Sequence, residues 1–307
     1  MGSITELNSG RQYVLAACHV VGRDNSALLQ VSDSSISLQH ACLRWTGRYW
    51  AVKDLGSTNG TYVDGKGLAP GVLTTIHRGA QLRFARDRSV WVLSDDSPPQ
   101  LMMISTQTGV ASYWRDGMIA IPTADEPTGL VYQDSAGGWI LEKDGEVQSI
   151  DEGRRIEIFG SEWMLCNSSL PPPTSFVSET GANKPLENVV LRFRVSRDEE
   201  HVELVALDGS RTTDFSMRSH HYMLLTLARV RLEDEKRGEQ RGSVGWIAQE
   251  DLLRKLRTTP DRLNVDVFRA RKQFASAGFF PPAGIVERRS DSRQLRIGTG
   301  SIQVEVV

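Results

Sequence analysis

Between residues 11 and 96 the apolar positions come in short runs separated by turn residues. Examples are Tyr13-Val14-Leu15, Ala41-Cys42-Leu43-Arg44-Trp45, Tyr49-Trp50-Ala51-Val52, Gln81-Leu82-Arg83-Phe84 and Val90-Trp91-Val92-Leu93. No helical stripe interrupts them, and the pattern predicts an all-β sandwich over 11–97, closed by Pro98-Pro99. The preceding residues 1–10 are polar and are expected to be disordered.

The pattern returns imperfectly over 100–170. Gly138-Trp139-Ile140-Leu141-Glu142-Lys143-Asp144 parallels Tyr49-Trp50-Ala51-Val52-Lys53-Asp54, and Trp163-Met164-Leu165 parallels Trp91-Val92-Leu93. The tryptophans lie 41 residues apart in the first copy and 24 in the second, so a loop-bearing stretch is missing. This predicts a degenerate second β unit, with an unrelated small β domain as the alternative. A proline-rich linker is expected over 171–187, extended and semi-rigid.

Beyond the linker, over 188–307, the period changes. Val189–Val195 and His201–Leu207 read as strands around a turn at Arg197-Asp198-Glu199-Glu200. A helix is expected from a cap at Ser219, a second segment carries Leu252, Leu253 and Leu256, and a third starts at Thr259-Pro260. Gly284–Arg289 and Arg293–Gly298 then read as a hairpin with a basic tip. At 100° per residue, Leu263, Val267, Ala270 and Phe274 share the core face of the third helix. Val265, Arg269 and Lys272 fall roughly opposite.

Composition changes this picture little: 39% hydrophobic and 24% charged residues in 307 describe a soluble chain of two or three domains. No apolar run reaches the length of a membrane span and the start lacks a basic-then-apolar leader, so a cytoplasmic protein without membrane contact is expected. Cys18, Cys42 and Cys166 are odd in number and sit in apolar strands, which predicts buried free thiols. No Cys/His spacing suits a metal, and no cofactor is implied. Charge is uneven: residues 1–180 hold 14 basic and 20 acidic side chains, whereas 251–296 hold 11 and 5. A basic terminal region points weakly to nucleic acid.

The most informative stretch is Asp54-Leu55-Gly56-Ser57-Thr58-Asn59-Gly60-Thr61. Its glycines free the backbone, and its hydroxyls and amide hydrogen-bond locally or outward, as a ligand-holding loop on a sheet requires. Taken with Gly22-Arg23 and Ser37-Leu38-Gln39-His40, it resembles the ordered signature of the bacterial-type forkhead-associated (FHA) domain. That resemblance implies a β-sandwich whose apical loops bind phosphothreonine peptides. Arg23, Ser37 and Thr58 would hold phosphate and Asn59 the peptide main chain, while Gly22, His40 and Gly60 would shape the loops. Two positions depart from the pattern: Leu38, where a polar residue is common, and Ala85, where a glycine commonly follows Phe84.

Three helices with a basic hairpin behind a small sheet describe a winged helix-turn-helix. Residues 263–272 with the hairpin resemble the effector domain of OmpR/PhoB-type response regulators. That resemblance implies double-stranded DNA contacts by Arg262, Val265, Arg269 and Lys272 on the helix and by Arg288, Arg289 and Arg293 on the wing. No catalytic constellation, nucleotide-binding loop or kinase signature is present, so a non-enzymatic protein is expected. Two functions fit: a kinase-responsive transcriptional regulator that reads phosphothreonine and DNA, or a phospho-dependent adaptor whose winged helix docks protein.

Overall fold

Short apolar runs bounded by turn residues can bury only one face each, and over the first ninety-five residues they do so as two sheets around one core. The computed structural model describes residues 1–85, 89–134, 136–167, 184–240, 242–289, 292–299 and 301–307. The first eleven strands are β1 (Ser3–Glu6), β2 (Gln12–Val14), β3 (Cys18–Gly22), β4 (Leu29–Gln30), β5 (Ala41–Trp45), β6 (Trp50–Asp54), β7 (Thr61–Val63), β8 (Lys66–Gly67), β9 (Leu73–Ile76), β10 (Gln81–Phe84) and β11 (Trp91–Asp95). One sheet has the order β2-β1-β11-β10-β7-β8 and the other β4-β3-β5-β6-β9. Ile4, Leu82, Trp91 and Leu93 from the first meet Val21, Leu43, Trp50, Val52 and Ile76 from the second in a single buried cluster. The polar start, expected to be disordered, is instead ordered: Ile4 is buried and β1 pairs antiparallel with β11. Buried Ile4, ladders to β11 and β2, and the Ser3 and Thr5 hydroxyls, each 3.0 Å from Ser94 Oγ, hold a segment whose composition argued against order.

Eight more strands follow: β12 (Met102–Ser105), β13 (Ala111–Arg115), β14 (Met118–Pro122), β15 (Pro127–Gln133), β16 (Trp139–Lys143), β17 (Glu146–Ser149), β18 (Arg155–Ile158) and β19 (Ser161–Cys166). All their pairings are antiparallel. The chain folds as two compact units, Met1–Tyr113 with Glu152–Thr174, and Trp114–Asp151 with Ser175–Val307. Residues 100–170 are therefore shared between them. In the first unit, β12 and β19 close a small cluster of Ala16, Leu28, Met102, Ile104 and Cys166 beside the sandwich. Most of the linker expected over 171–187, its residues 171–183, lies outside the described residues.

The second unit adds β20 (Lys184–Pro185), β21 (Val190–Val195), β22 (Val202–Asp208), β23 (Arg211–Met217), α1 (His221–Lys236), β24 (Ile247–Ala248), α2 (Gln249–Leu256), α3 (Pro260–Ser276), β25 (Phe279–Phe280), β26 (Val286–Arg288), β27 (Gln294–Ile297) and β28 (Ser301–Val306). A sheet of order β23-β22-β21-β28 and a ladder β24-β27-β26 pack with the helices around one apolar core. Helix α1 begins one residue later than Ser219 implies: His220 is its cap and makes no capping bond with its side chain. His220 and His221 instead donate from Nε2 to Oε1 of Gln273 at 2.8 and 2.9 Å, fastening the start of α1 to α3. Helix α3 starts as its sequence dictates, with Pro260 in the first turn and Thr259 Oγ1 accepting from the Arg262 amide at 3.3 Å. Leu263, Val267, Ala270 and Phe274 are fully buried in the core. A second face of α3 is also covered, because Phe268 packs against Met118 of β14 and Leu130 of β15.

Candidate functional site

At one end of the sandwich, three chain segments meet: the end of β3, the 35–40 loop and the 54–61 loop. Gly22 sits where β3 passes under the 35–40 loop; a Cβ there would lie 2.0 Å from the Leu38 carbonyl oxygen. That approach lets the Arg23 and Asp24 amides donate to the carbonyls of Ser37 and Leu38 at 3.0 and 3.1 Å. Arg23 is exposed and its Nε donates to the Ile36 carbonyl at 3.2 Å, which aims the rest of the guanidinium outward.

His40 lies beneath the loops with no exposure and ties them together. Its Nδ1 accepts from the Ser37 amide at 3.1 Å, so the Nε2 that meets the Gly60 carbonyl at 3.1 Å is the protonated one. The ring stands edge-on to Phe84 at 6.0 Å between centroids. Gly60 has a φ of +78°, a left-handed geometry open to glycine, and its carbonyl also accepts from the Ala85 amide at 2.8 Å. Ala85 itself holds a φ of +59°, which explains why a glycine suits this position.

The 54–61 loop is organised by Asp54, which is fully buried. Its Oδ1 accepts from the Gly56 and Ser57 amides, both at 2.9 Å, and its Oδ2 from the hydroxyls of Ser57 and Thr61, both at 2.6 Å. Burial pushes this carboxyl up, but the four hydrogen bonds outweigh it and hold the group below its ordinary range. Ser57 is spent internally, since its hydroxyl also accepts from the Gly60 amide at 3.0 Å. Thr58 is exposed, and its amide donates to Ser37 Oγ at 3.1 Å. Asn59 Nδ2 donates to the Ser35 carbonyl at 2.7 Å and so bridges the two loops.

Arg23, Ser37, Thr58 and Asn59 thus come together from positions spread over thirty-seven residues of sequence. A guanidinium, two hydroxyls and an amide around an open apex can receive a tetrahedral anion and an extended peptide. Residues 19–85 match the family described as the FHA domain. The chain carries an FHA domain. A solved structure described as a structural and functional analysis of phosphothreonine-dependent FHA domain interactions shares 26% identity over 30% of this chain and 92% of that chain, with a TM-score of 0.27. This chain is similar to FhaB of Mycolicibacterium smegmatis, 38% identical over 82 residues that make 27% of this chain and 48% of that protein. It is also similar to FhaA of Mycobacterium tuberculosis, 39% identical over 57 residues, 18% of this chain and 11% of that one. The chain spans about half the length of the first of these relatives and less of the second. Among solved structures, Mycobacterium tuberculosis EmbR in complex with a low-affinity phosphopeptide shares 26% identity over 31% of this chain and 25% of that chain, with a TM-score of 0.28.

The residues expected to meet DNA are dispersed. On α3, Arg269 and Lys272 are exposed, Val265 is half-buried, and Arg262 is partly drawn to Asp266 at 3.4 Å. The hairpin residues are engaged elsewhere. Arg288 has a side chain with 0% exposure, its Nε 2.7 Å from Glu142 Oε1, while its other nitrogens donate to Gln249 and Asn264 at 2.8 and 2.9 Å. Arg271, fully buried on α3, meets the same carboxylate at 2.9 Å, donates to the Val286 carbonyl at 2.6 Å, and stacks over Tyr132. Arg293 pairs with Glu146 of β17. Arg289 donates to the Gly242 carbonyl at 2.9 Å and stacks over Trp246, which Arg296 also covers. The assignment of Arg288 to a DNA contact is therefore corrected: burying a guanidinium requires a carboxylate partner, and Glu142 supplies it. The hairpin tip, Ser290 and Asp291, lies outside the described residues. Among the described residues, no cluster of three His, Cys, Asp or Glu could hold a metal, and no helix is long and apolar enough to cross a membrane.

Proposed function

We propose that the protein is a non-enzymatic signalling component that captures a phosphothreonine-bearing protein, a kinase or a kinase substrate, at its FHA domain. The observation that carries this reading is the convergence of Arg23, Ser37, Thr58 and Asn59 at one apex, over loops braced by His40 and Asp54. The phosphate would take the Arg23 guanidinium and the hydroxyls of Ser37 and Thr58, and the Asn59 amide would hold the peptide main chain. Charge-assisted bonds contribute about 1.5–3 kcal/mol each and neutral ones about 0.5–1.5 kcal/mol, so Arg23→Ala is expected to weaken binding roughly 10- to 100-fold and Asn59→Ala roughly 2- to 10-fold. Fluorescence anisotropy with paired phosphorylated and unphosphorylated threonine peptides measures this. Affinity unchanged in both variants would remove the assignment.

For the C-terminal region we propose a winged helix that packs on protein, which makes the phospho-dependent adaptor the better-supported output. Its support is that Arg288, one of the expected DNA contacts, is buried on Glu142 of the same chain, and that Arg289 and Arg293 are also engaged within the chain. The transcriptional-regulator reading keeps the exposed Arg269 and Lys272 as its own support. Titration with random-sequence duplex DNA across salt concentrations separates the two: a regulator shows a salt slope that Arg269→Ala and Lys272→Ala reduce by about one each, an adaptor shows none.

A further inference from the structure

The three cysteines do not share one environment. Cys18 is exposed near the start of β3, whereas Cys42 and Cys166 are buried. Cys18 lies directly across from Arg44 in the β3–β5 ladder, two pairs along from Val20 and Cys42. Cys18 and Cys42 therefore project from the same face of neighbouring strands, and their sulfurs are 3.3 Å apart. Nothing in the phosphopeptide site uses either thiol.

We propose that Cys18 and Cys42 form an oxidisable dithiol, a modification site for peroxides on the FHA sandwich. The chemistry follows from the asymmetry of the pair. The hydrogen bond donated by the Cys42 thiol, assisted by the positive charge of Arg44, outweighs burial and lowers the Cys18 thiol to about 6. Cys42 is pushed the opposite way, first by its bond to Cys18 and then by burial. At neutral pH Cys18 is the thiolate and the nucleophile, and Cys42 remains a thiol beside it. The Cys18 thiolate attacks one peroxide oxygen; the O–O bond breaks, leaving a sulfenic acid on Cys18 and releasing hydroxide or alkoxide. The Cys42 sulfur then attacks the Cys18 sulfur, forming the S–S bond as its own proton leaves with the hydroxyl as water. Two electrons pass from the two sulfurs to the peroxide, and a dithiol reductant reverses the step.

Cys166 serves as the internal control, because burial raises it to about 12 and its thiol points to the Met164 carbonyl. The full chain is reduced, treated with a stoichiometric amount of hydrogen peroxide, then denatured in N-ethylmaleimide and weighed intact. The expected result is loss of two of the three alkylatable thiols, with Cys18 and Cys42 recovered in one cross-linked peptide that dithiothreitol separates. Cys166→Ser is expected to keep the cross-link. Cys42→Ser is expected to lose it and leave a Cys18 sulfenic acid that a cyclic 1,3-diketone traps. Iodoacetamide is expected to modify Cys18 at least about tenfold faster than Cys166 in the folded protein. Retention of all three thiols after peroxide, or a cross-link that survives Cys42→Ser, overturns the proposal.

Discussion

Glu142→Ala is the substitution whose cost can be worked most directly from the structure. The carboxylate holds two guanidinium groups, at 2.9 Å from Arg271 and 2.7 Å from Arg288, whose side chains are 1% and 0% exposed. Removing it leaves both cations buried, with neutral acceptors only: the Val286 carbonyl for Arg271, and Gln249 and Asn264 for Arg288. Breaking a buried pair in this way costs about 3–5 kcal/mol, a large fraction of a domain's total stability. Replacing all three residues by apolar ones of similar volume, as Glu142→Leu with Arg271→Met and Arg288→Met, is expected to restore most of it, because the desolvation of three charges disappears together. Urea unfolding followed by the helical far-UV circular dichroism signal reads the effect, since all three α-helices described belong to the second unit. Acid should reproduce part of it. Burial raises the Glu142 carboxyl, but Arg271 and then Arg288 more than reverse this, so its folded pKa lies below the usual value. A depressed folded pKa gives stability that is present above the unfolded value, about 4.3, and is lost as pH falls through the folded one. Glu146→Ala, which removes the exposed partner of Arg293, is the control and is expected to leave the midpoint unmoved. If Glu142→Ala shifts the midpoint no further than Glu146→Ala, the buried triad is not what holds this part of the molecule.

Three other outcomes test the FHA loops. Gly22→Ala drives a Cβ onto the Leu38 carbonyl, and is expected to weaken phosphopeptide binding by about tenfold or more through displacement of Ser37, with the fold intact by circular dichroism. Ala85→Gly relieves a left-handed alanine: about 1–2 kcal/mol of strain is removed against about 0.4–1 kcal/mol of added chain entropy, so a net gain near 0.5–1 kcal/mol is expected in thermal unfolding. Asp54→Ala orphans four donors at once, and is expected to raise amide exchange at Gly56 and Ser57 and to lower peptide affinity in parallel.

The FHA loops were legible because the chemistry that marks them is written in consecutive residues: Ser37 to His40, and Asp54 to Thr61. Even there the inward half of the loop was missed. Asp54 reads as a polar loop residue, yet it is the carboxylate around which Ser57 and Thr61 fold; an Asp followed by hydroxyls three and seven residues on was the available signal. Cys18 departs from the expected burial for a different reason. In Cys18-His19-Val20-Val21 the apolar-seeming cysteine suggests the inner face, but strand alternation with Val21 inside puts buried His19 inward and exposed Cys18 out. Arg288 was legible as a basic hairpin residue and not as a buried one, because its partner Glu142 lies in a different β-strand far back in the sequence. Periodicity reports which face of an element is apolar, and says nothing of which distant charge will cover the other face.

The two-segment make-up of the second unit has a consequence for how the chain is synthesised. Glu142 leaves the ribosome 129 positions ahead of Arg271, its partner on α3. At about 5–20 residues per second, β14–β17 wait on the order of ten seconds for the helix that covers them. During that interval Met118 and Leu130, later buried against Phe268, are without their apolar cover. The first unit faces the same delay on a smaller scale, because β12 precedes β18 and β19 by the whole of β14–β17. Nascent chains of this protein therefore carry an uncovered apolar sheet face for longest at β14 and β15, and that is where a ribosome-associated chaperone has most to shield.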